Sequence, residues 1–207
     1  LLFFLKIKMS STDCEQTVFV RNSYKYHVSV ANLQLTRTCL REGLGSESMQ
    51  PPQTVHSVYY DDSKYTALER RKQRLPITVH RARWYGNDVD AIFYEEKAHG
   101  VVNASKQRKK PPASNEAPRI HVWYTREAFQ VSDDLRITVD WNILCCRTSD
   151  PLPLHSVAEG ILPFAIVEVK PGQDAVSPTV DSMIKGTRDD DLSKYAICAG
   201  LLTAAAS

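Results

Sequence analysis

The chain has little charge of one sign: 26 lysines and arginines stand against 24 acids, a net charge of +2. A bulk basic tail for nucleic acid or membrane surfaces is excluded, so an anion site here must arise by local clustering. Paired metal-binding cysteines are also missing. The five cysteines (Cys14, Cys39, Cys145, Cys146 and Cys198) form no CxxC pair and are odd in number, which predicts a reducing compartment and no structural zinc. Long apolar runs are absent. Leu1–Leu5 and Leu201–Ala206 are both far too short to span a bilayer, and no cleavage-site pattern follows the first. The phosphate loop G-x-x-x-x-G-K-[ST], the zinc motif H-E-x-x-H and the nucleophile elbow G-x-S-x-G do not occur. His80, His99 and His121 lack metal-ligand spacing and receive no role.

What is present is a globular composition, 43% hydrophobic and 24% charged over 207 residues, enough for one domain. Residues 1–15 read as a loose leader and 16–207 as a single domain. The informative stretch is Ile77–Gly86, ITVHRARWYG. As a strand it places Ile77, Val79, Arg81, Arg83 and Tyr85 on one face and Thr78, His80, Ala82 and Trp84 on the other. Arg81 and Arg83 then emerge about 7 Å apart without a partner in the strand. Two readings fit: an edge strand with solvated arginines, or a concave face that binds a polyanion.

The remaining elements favour the second. Strands are expected within Thr17–Val28, at Val55–Tyr60, Ala91–His99, Arg119–Arg126, Leu135–Cys145 and Phe164–Lys170. Helices are expected near Ser29–Leu40, Lys64–Arg74 and Ser193–Leu202, with loops at Arg41–Gln53, Gly100–Pro118 and Cys146–Glu159. Asp61 and Asp62 read as helix caps before metal ligands. About seven strands joined by short turns suit antiparallel pairing. Each carries an ionisable residue on the face of its apolar ones: Arg21, Arg81 with Arg83, Lys97, Arg126, Arg136 and Glu168. Burying such faces in an open sheet is unfavourable. The predicted fold is therefore α+β: a closed antiparallel β-barrel with a wet, charged interior and a few short helices.

Several segments match a known family in order. FVRNSYKYHV at Phe19–Val28 looks like an opening strand with Lys25. SVYYDD at Ser57–Asp62, HRARWYG at His80–Gly86, YEEKAH at Tyr94–His99, YTREAFQ at Tyr124–Gln130, LRITVD at Leu135–Asp140, IVEVK at Ile166–Lys170 and LSKY at Leu192–Tyr195 follow. Together they resemble the catalytic domain of the vacuolar transporter chaperone (VTC) complex, a polyphosphate polymerase of the triphosphate tunnel metalloenzymes, from about Val18 to Ala199. The resemblance implies transfer of the ATP γ-phosphate onto inorganic polyphosphate inside a basic tunnel. Its phosphate contacts would be Lys25, Arg81, Arg83, Lys97, Tyr124, Arg126, Arg136, Ser193 and Lys194. Arg81, Arg83, Lys97 and Glu168 would be catalytic, and Glu168 would hold Mn2+ or another divalent cation. Implied partners are ATP, polyphosphate and other VTC subunits, with no nucleic acid. Implied too is a place on the cytosolic face of a vacuole or acidocalcisome-type membrane, reached through segments or subunits outside this chain.

The residue chemistry agrees. Arginine forks suit phosphate oxygens, a carboxylate suits a hard cation, and phosphoryl transfer needs positioning and charge neutralisation. The chain departs from the family in three places. Glu96 stands where arginine is usual, Gly100–Pro118 is short (leaving Lys106 or Lys109 for a further phosphate contact), and Asp189, Asp190, Asp191 and Leu192 replace V-P-K-F. The alternatives are a non-catalytic polyphosphate-binding subunit, a triphosphatase (though its E-x-E-x-K opening strand is absent), and nucleic-acid binding through Lys106–Lys110. Glu168 with Lys170 also reads as a same-face ion pair, Tyr124 as packing, and Ser193 as a helix cap.

Overall fold

The computed structural model describes residues 23–45, 49–99, 106–109, 116–171 and 176–204. The expected leader, Arg21, and the side chains of Lys106 and Lys109 lie outside the described residues.

Chain order is β1 (Tyr24–Ser29), α1 (Val30–Leu44), β2 (Met49–Asp61), α2 (Thr66–Lys72), β3 (Ile77–Tyr85), β4 (Asp88–His99), β5 (Lys106–Lys109), β6 (Ala117–Gln130), β7 (Arg136–Arg147), β8 (Gly160–Ile161), β9 (Phe164–Lys170), α3 (Pro178–Met183), β10 (Thr187–Arg188) and α4 (Lys194–Ala204). The strands form one antiparallel ten-stranded sheet in the order β10-β1-β9-β7-β6-β2-β3-β4-β5, with β8 on β7.

The expected closed barrel is not what the chain forms. Among the described residues β10 and β5 remain edges and no ladder joins them. The sheet is nonetheless curled. Lys97 on β4 feels the charge of Glu168 on β9 and of Lys25 on β1, although five strand steps separate β4 from β9. In a flat sheet that is about 24 Å. The charged faces that argued for closure are accommodated by ion pairs between neighbouring strands and by α4, which packs onto the concave side. Tyr195, Cys198, Ala199 and Leu202 of α4 join Val55, Tyr59, Val122, Tyr124 and Ile166 of the sheet in one apolar cluster.

The convex side is covered in two places. α1 is capped by Ser29, whose hydroxyl accepts from the Asn32 amide, and ends at Gly45, where φ is 83°. It lays Leu40 with Val180 and Ile184 of the α3 region over Val28, Phe129, Val139 and Val167. Farther along, Val58, Tyr60, Ala82 and Trp84 pack together with Leu152.

Two local expectations change. The predicted loop over Arg41–Gln53 is helix to Leu44 and then strand from Met49. Pro51 and Pro52 fall where the β2–β6 register shifts between Gln50 and Gln53, and a bulge is where a strand tolerates residues without an amide donor. Part of the expected loop at Gly100–Pro118 is β5, paired with β4. The four described cysteines, Cys39, Cys145, Cys146 and Cys198, are free thiols. No described helix is long and apolar enough to cross a membrane.

Candidate phosphate-binding face

The strand parity read in β3 sets the site. Cross-strand pairing puts Arg81 opposite Tyr59 and Glu95, Arg83 opposite Ser57 and Phe93, and Val79 opposite Lys97. Across the sheet, Arg126 stands opposite Asp140 and Gln53, Thr138 opposite Glu168, Glu168 opposite Lys25, and Arg136 opposite Lys170. Residues directly opposite share a face, so these side chains line the same concave surface.

Both β3 arginines find partners outside their own strand. Arg81 Nε donates to Glu95 Oε2 at 2.6 Å and its Nη1 to the Tyr59 hydroxyl at 3.3 Å. Arg83 Nη1 lies 3.6 Å from the same Glu95 oxygen. Its Nε and Nη2 donate to the hydroxyls of Ser57 and Tyr124, each at 3.3 Å. Glu95 thus offsets part of the repulsion between the arginines, and three hydroxyls orient their forks. Tyr124 is buried; burial raises its phenol's pKa, but Arg126 and Arg83 bring it below the usual value.

Asp140 is the residue that motif reading left without a role. It is fully buried, takes both Arg126 forks at 2.6 and 2.7 Å, and pairs with Lys194 Nζ at 2.6 Å. Burial opposes its charge, and Arg126 with Lys194 holds its carboxyl below the usual range. Lys194 sits 4.8 Å from the centre of the Tyr124 ring and Arg126 5.3 Å from it. One buried acid therefore fixes two cations over one ring. The signal was present, since Arg136, Thr138 and Asp140 alternate along β7 on the charged face.

Glu168 keeps 17% of its side-chain surface exposed and lies 3.8 Å from Lys170. Burial opposes its charge, yet Lys170, Lys97, Arg126 and Lys194 hold its pKa well below the ordinary value. The same-face pairing of Glu168 with Lys170 is present, within a field of further cations. Lys97 is pushed down to about 7 by burial, against the pull of Glu168 and with the repulsion of Lys25, Arg81 and Lys170. Burial lowers Lys25 as well. Arg136 Nε is buried and makes no hydrogen bond.

The last sites lie at the start of α4. Ser193 caps it, its hydroxyl accepting from the Ala196 amide at 3.4 Å. Lys25 Nζ donates to the carbonyls of Asp190 and Leu192 at 3.0 and 2.7 Å. Two acids of the Asp189–Asp191 run are paired: Arg188 meets Asp190 at 2.8 Å and Arg74 meets Asp191 at 3.0 Å. Asp61 and Asp62 accept amide hydrogens at the start of α2, as caps do.

No group of three or more His, Cys, Asp or Glu converges among the described residues. Asp140 and Glu95 are committed to arginine and lysine, which leaves Glu168 to offer a carboxylate oxygen. That donor set does not make a protein cage. It fits a divalent cation that takes one protein carboxylate and completes its shell with phosphate oxygens and water.

Comparison with solved structures places the fold. The PH1819 protein from Pyrococcus horikoshii OT3 superposes with a TM-score of 0.52 at 10% identity, covering 86% of this chain and 96% of that one. The putative adenylyl cyclase HpAC1 from Hippeastrum, described as having a dominant triphosphatase activity, gives 0.51 at 11% identity, covering 90% and 96%. No curated protein matches by sequence. The family model described as the VTC domain matches residues 20–117 and 111–202.

Proposed function

The chain belongs to the VTC domain family, and we propose that its concave face is the core of a polyphosphate polymerase, moving the γ-phosphoryl group of ATP onto a growing inorganic polyphosphate. The observation that carries this reading is Glu168, held ionised among Lys170, Lys97, Arg126 and Lys194. Of the acids on this face, Glu95 and Asp140 are committed to arginine and lysine, so Glu168 is the carboxylate left for a linear polyanion that arrives with its own metal.

In this reading Arg81, Arg83 and Lys97 bind phosphate oxygens and neutralise their charge, with the hydroxyls of Tyr59, Ser57 and Tyr124 keeping the two guanidinium groups oriented. Arg126 and Lys194, set by Asp140, face the next phosphates, and Arg136 brings a buried donor that has no protein partner. Such prepositioned donors stabilise charge in a transferring phosphoryl group without reorganising. A divalent cation, manganese by family likeness, would be held by Glu168 and would draw charge from the phosphate oxygens. Other VTC subunits, and a vacuole or acidocalcisome-type membrane reached through them, belong to the same proposal.

A second reading is a polyphosphate-binding subunit that makes no polymer. It is favoured by Lys25 and Lys194, whose ammonium groups are already engaged by the Asp190 and Leu192 carbonyls and by Asp140. Two measurements on the purified chain separate the readings: incubation with ATP and manganese with products resolved on a gel, and incubation with inorganic triphosphate followed for binding and for orthophosphate release. A ladder of polymer supports the polymerase. Triphosphate binding without polymer supports the accessory subunit. Release of orthophosphate from triphosphate without polymer supports a triphosphatase, the activity ascribed to the Hippeastrum protein.

A further inference from the structure

A cavity of about 340 Å3 opens beside the cationic face, lined by Gln53, Tyr85, Asp88, Ala91, Phe93 and Arg136. Its position is set by register. Phe93 stands opposite Arg83, Tyr85 opposite Asp88 beside the β3–β4 turn, and Gln53 opposite Arg126. The cavity therefore continues the row of arginines, but its chemistry differs from theirs. Tyr85 and Phe93 present their rings edge to face, with centroids 6.4 Å apart and planes at 72°. Asp88 adds a carboxylate, one oxygen of which accepts from the Ala91 amide at 3.3 Å. Arg136 supplies a buried Nε with no hydrogen bond, and buried donors are rarely left in that state.

Gln53, Arg136 and the Tyr85 hydroxyl supply donors, but the Asp88 carboxylate repels a chain of phosphates and the faces of the two rings offer it nothing. These walls suit a flat heterocycle with polar edges. We propose that this cavity is a nucleoside subsite: it holds the base of a nucleoside triphosphate against Phe93 and Tyr85, with Asp88 accepting from the nucleoside's hydroxyl or amino groups. The unsatisfied Arg136 Nε marks the boundary, where it donates to the phosphate nearest the nucleoside. The remaining phosphates then run past Arg126 and Arg83. This subsite rests on the phosphate-binding reading of the neighbouring face and adds the feature that would distinguish ATP from inorganic triphosphate.

The test is calorimetric titration of the whole chain with ATP and with inorganic triphosphate, in chelator and without added metal. The wild type should bind ATP about tenfold more tightly than triphosphate, within the range that stacking of a base on an aromatic ring contributes. Phe93→Leu and Tyr85→Leu keep apolar volume and remove the rings. Each should bring the ratio of affinities towards one while leaving triphosphate affinity within about twofold of wild type. Triphosphate binding with no preference for ATP in the wild type, or with an unchanged preference in both variants, overturns the nucleoside subsite alone. Failure of triphosphate itself to bind overturns the phosphate-binding reading, and the subsite with it.

Discussion

Lys194, the first residue of α4, lies 2.6 Å from Asp140 on β7, and the same carboxylate holds Arg126 of β6 through two hydrogen bonds. The contact joins the last helix to the middle of the sheet. It also means that two cations of the candidate site are oriented by an acid before any anion arrives.

Asp140→Asn leaves Arg126 and Lys194 buried without their countercharge. Breaking a buried ionic cluster by removing one partner costs about 3–5 kcal/mol. Urea unfolding should show a loss of that order, and added triphosphate should restore more stability to the variant than it adds to wild type. A variant as stable as wild type would contradict the assigned role.

Acid should destabilise the protein through the convex side. His56 Nδ1 and His121 Nε2 are 3.1 Å apart, and His121 stacks on Trp123 and Trp84 while its Nδ1 meets the Ser156 hydroxyl. Burial, then the neighbouring His56, pushes the His121 pKa down to about 3, and burial lowers His56. The unfolded chain, with histidines near 6.5, binds these protons first. The contribution is therefore complete above pH 6.5 and is lost as pH falls from there towards 3. Between pH 7.5 and 5.5 the share of His121 is about 1.4 kcal/mol. His121→Gln should flatten that part of the pH dependence in urea unfolding; an unchanged slope would refute the attribution.

Phosphate binding should take up protons. Lys97, lowered to about 7 by burial, is mostly neutral at pH 8, and an arriving polyanion favours its charged form. Triphosphate affinity should therefore fall as pH rises from 7 to 9. Binding heats at pH 8 should vary with the ionisation enthalpy of the buffer, and Lys97→Met should remove most of that variation. Buffer-independent heats in the wild type would refute it.

Glu168→Gln separates phosphate from metal. The substitution removes an anion from among Lys170, Lys97, Arg126 and Lys194, so triphosphate should bind without metal at least as well as to wild type. The additional thermal stabilisation that manganese brings to the triphosphate complex should disappear. Any polymer synthesis should fall 100-fold or more, the scale of losing charge stabilisation in a transition state. Retention of the manganese increment would show that the metal is held elsewhere.

Strand parity within β3 and β4 was readable because side chains alternate: Arg81 with Arg83 and Glu95 with Lys97 needed only a period of two. What joins them was not readable, because Arg81 meets Glu95 through a register that depends on how two strands pair. Asp140 follows the same alternation as Arg136 in its strand, but its work, holding Arg126 and Lys194, depends on the β6–β7 register and on where α4 packs. Barrel closure was inferred from charged faces that needed shelter, and the chain shelters them with ion pairs and α4 instead. Pro51 and Pro52 argued for a loop and lie at a bulge.

The proposal on which the others rest is a specific site for a linear triphosphate on the face carrying Arg81, Arg83 and Arg126. The direct measurement is the shift in melting temperature with inorganic triphosphate, compared with chloride and sulfate at matched ionic strength, for wild type and for Arg83→Ala. Clustered cations repel until an anion neutralises them, and a bound ligand stabilises by mass action. Triphosphate alone should give a saturable rise of several degrees, reduced by more than half in Arg83→Ala, which loses a fork oriented by Ser57 and Tyr124. Equal shifts with chloride and triphosphate, or an Arg83→Ala response equal to wild type, would contradict it.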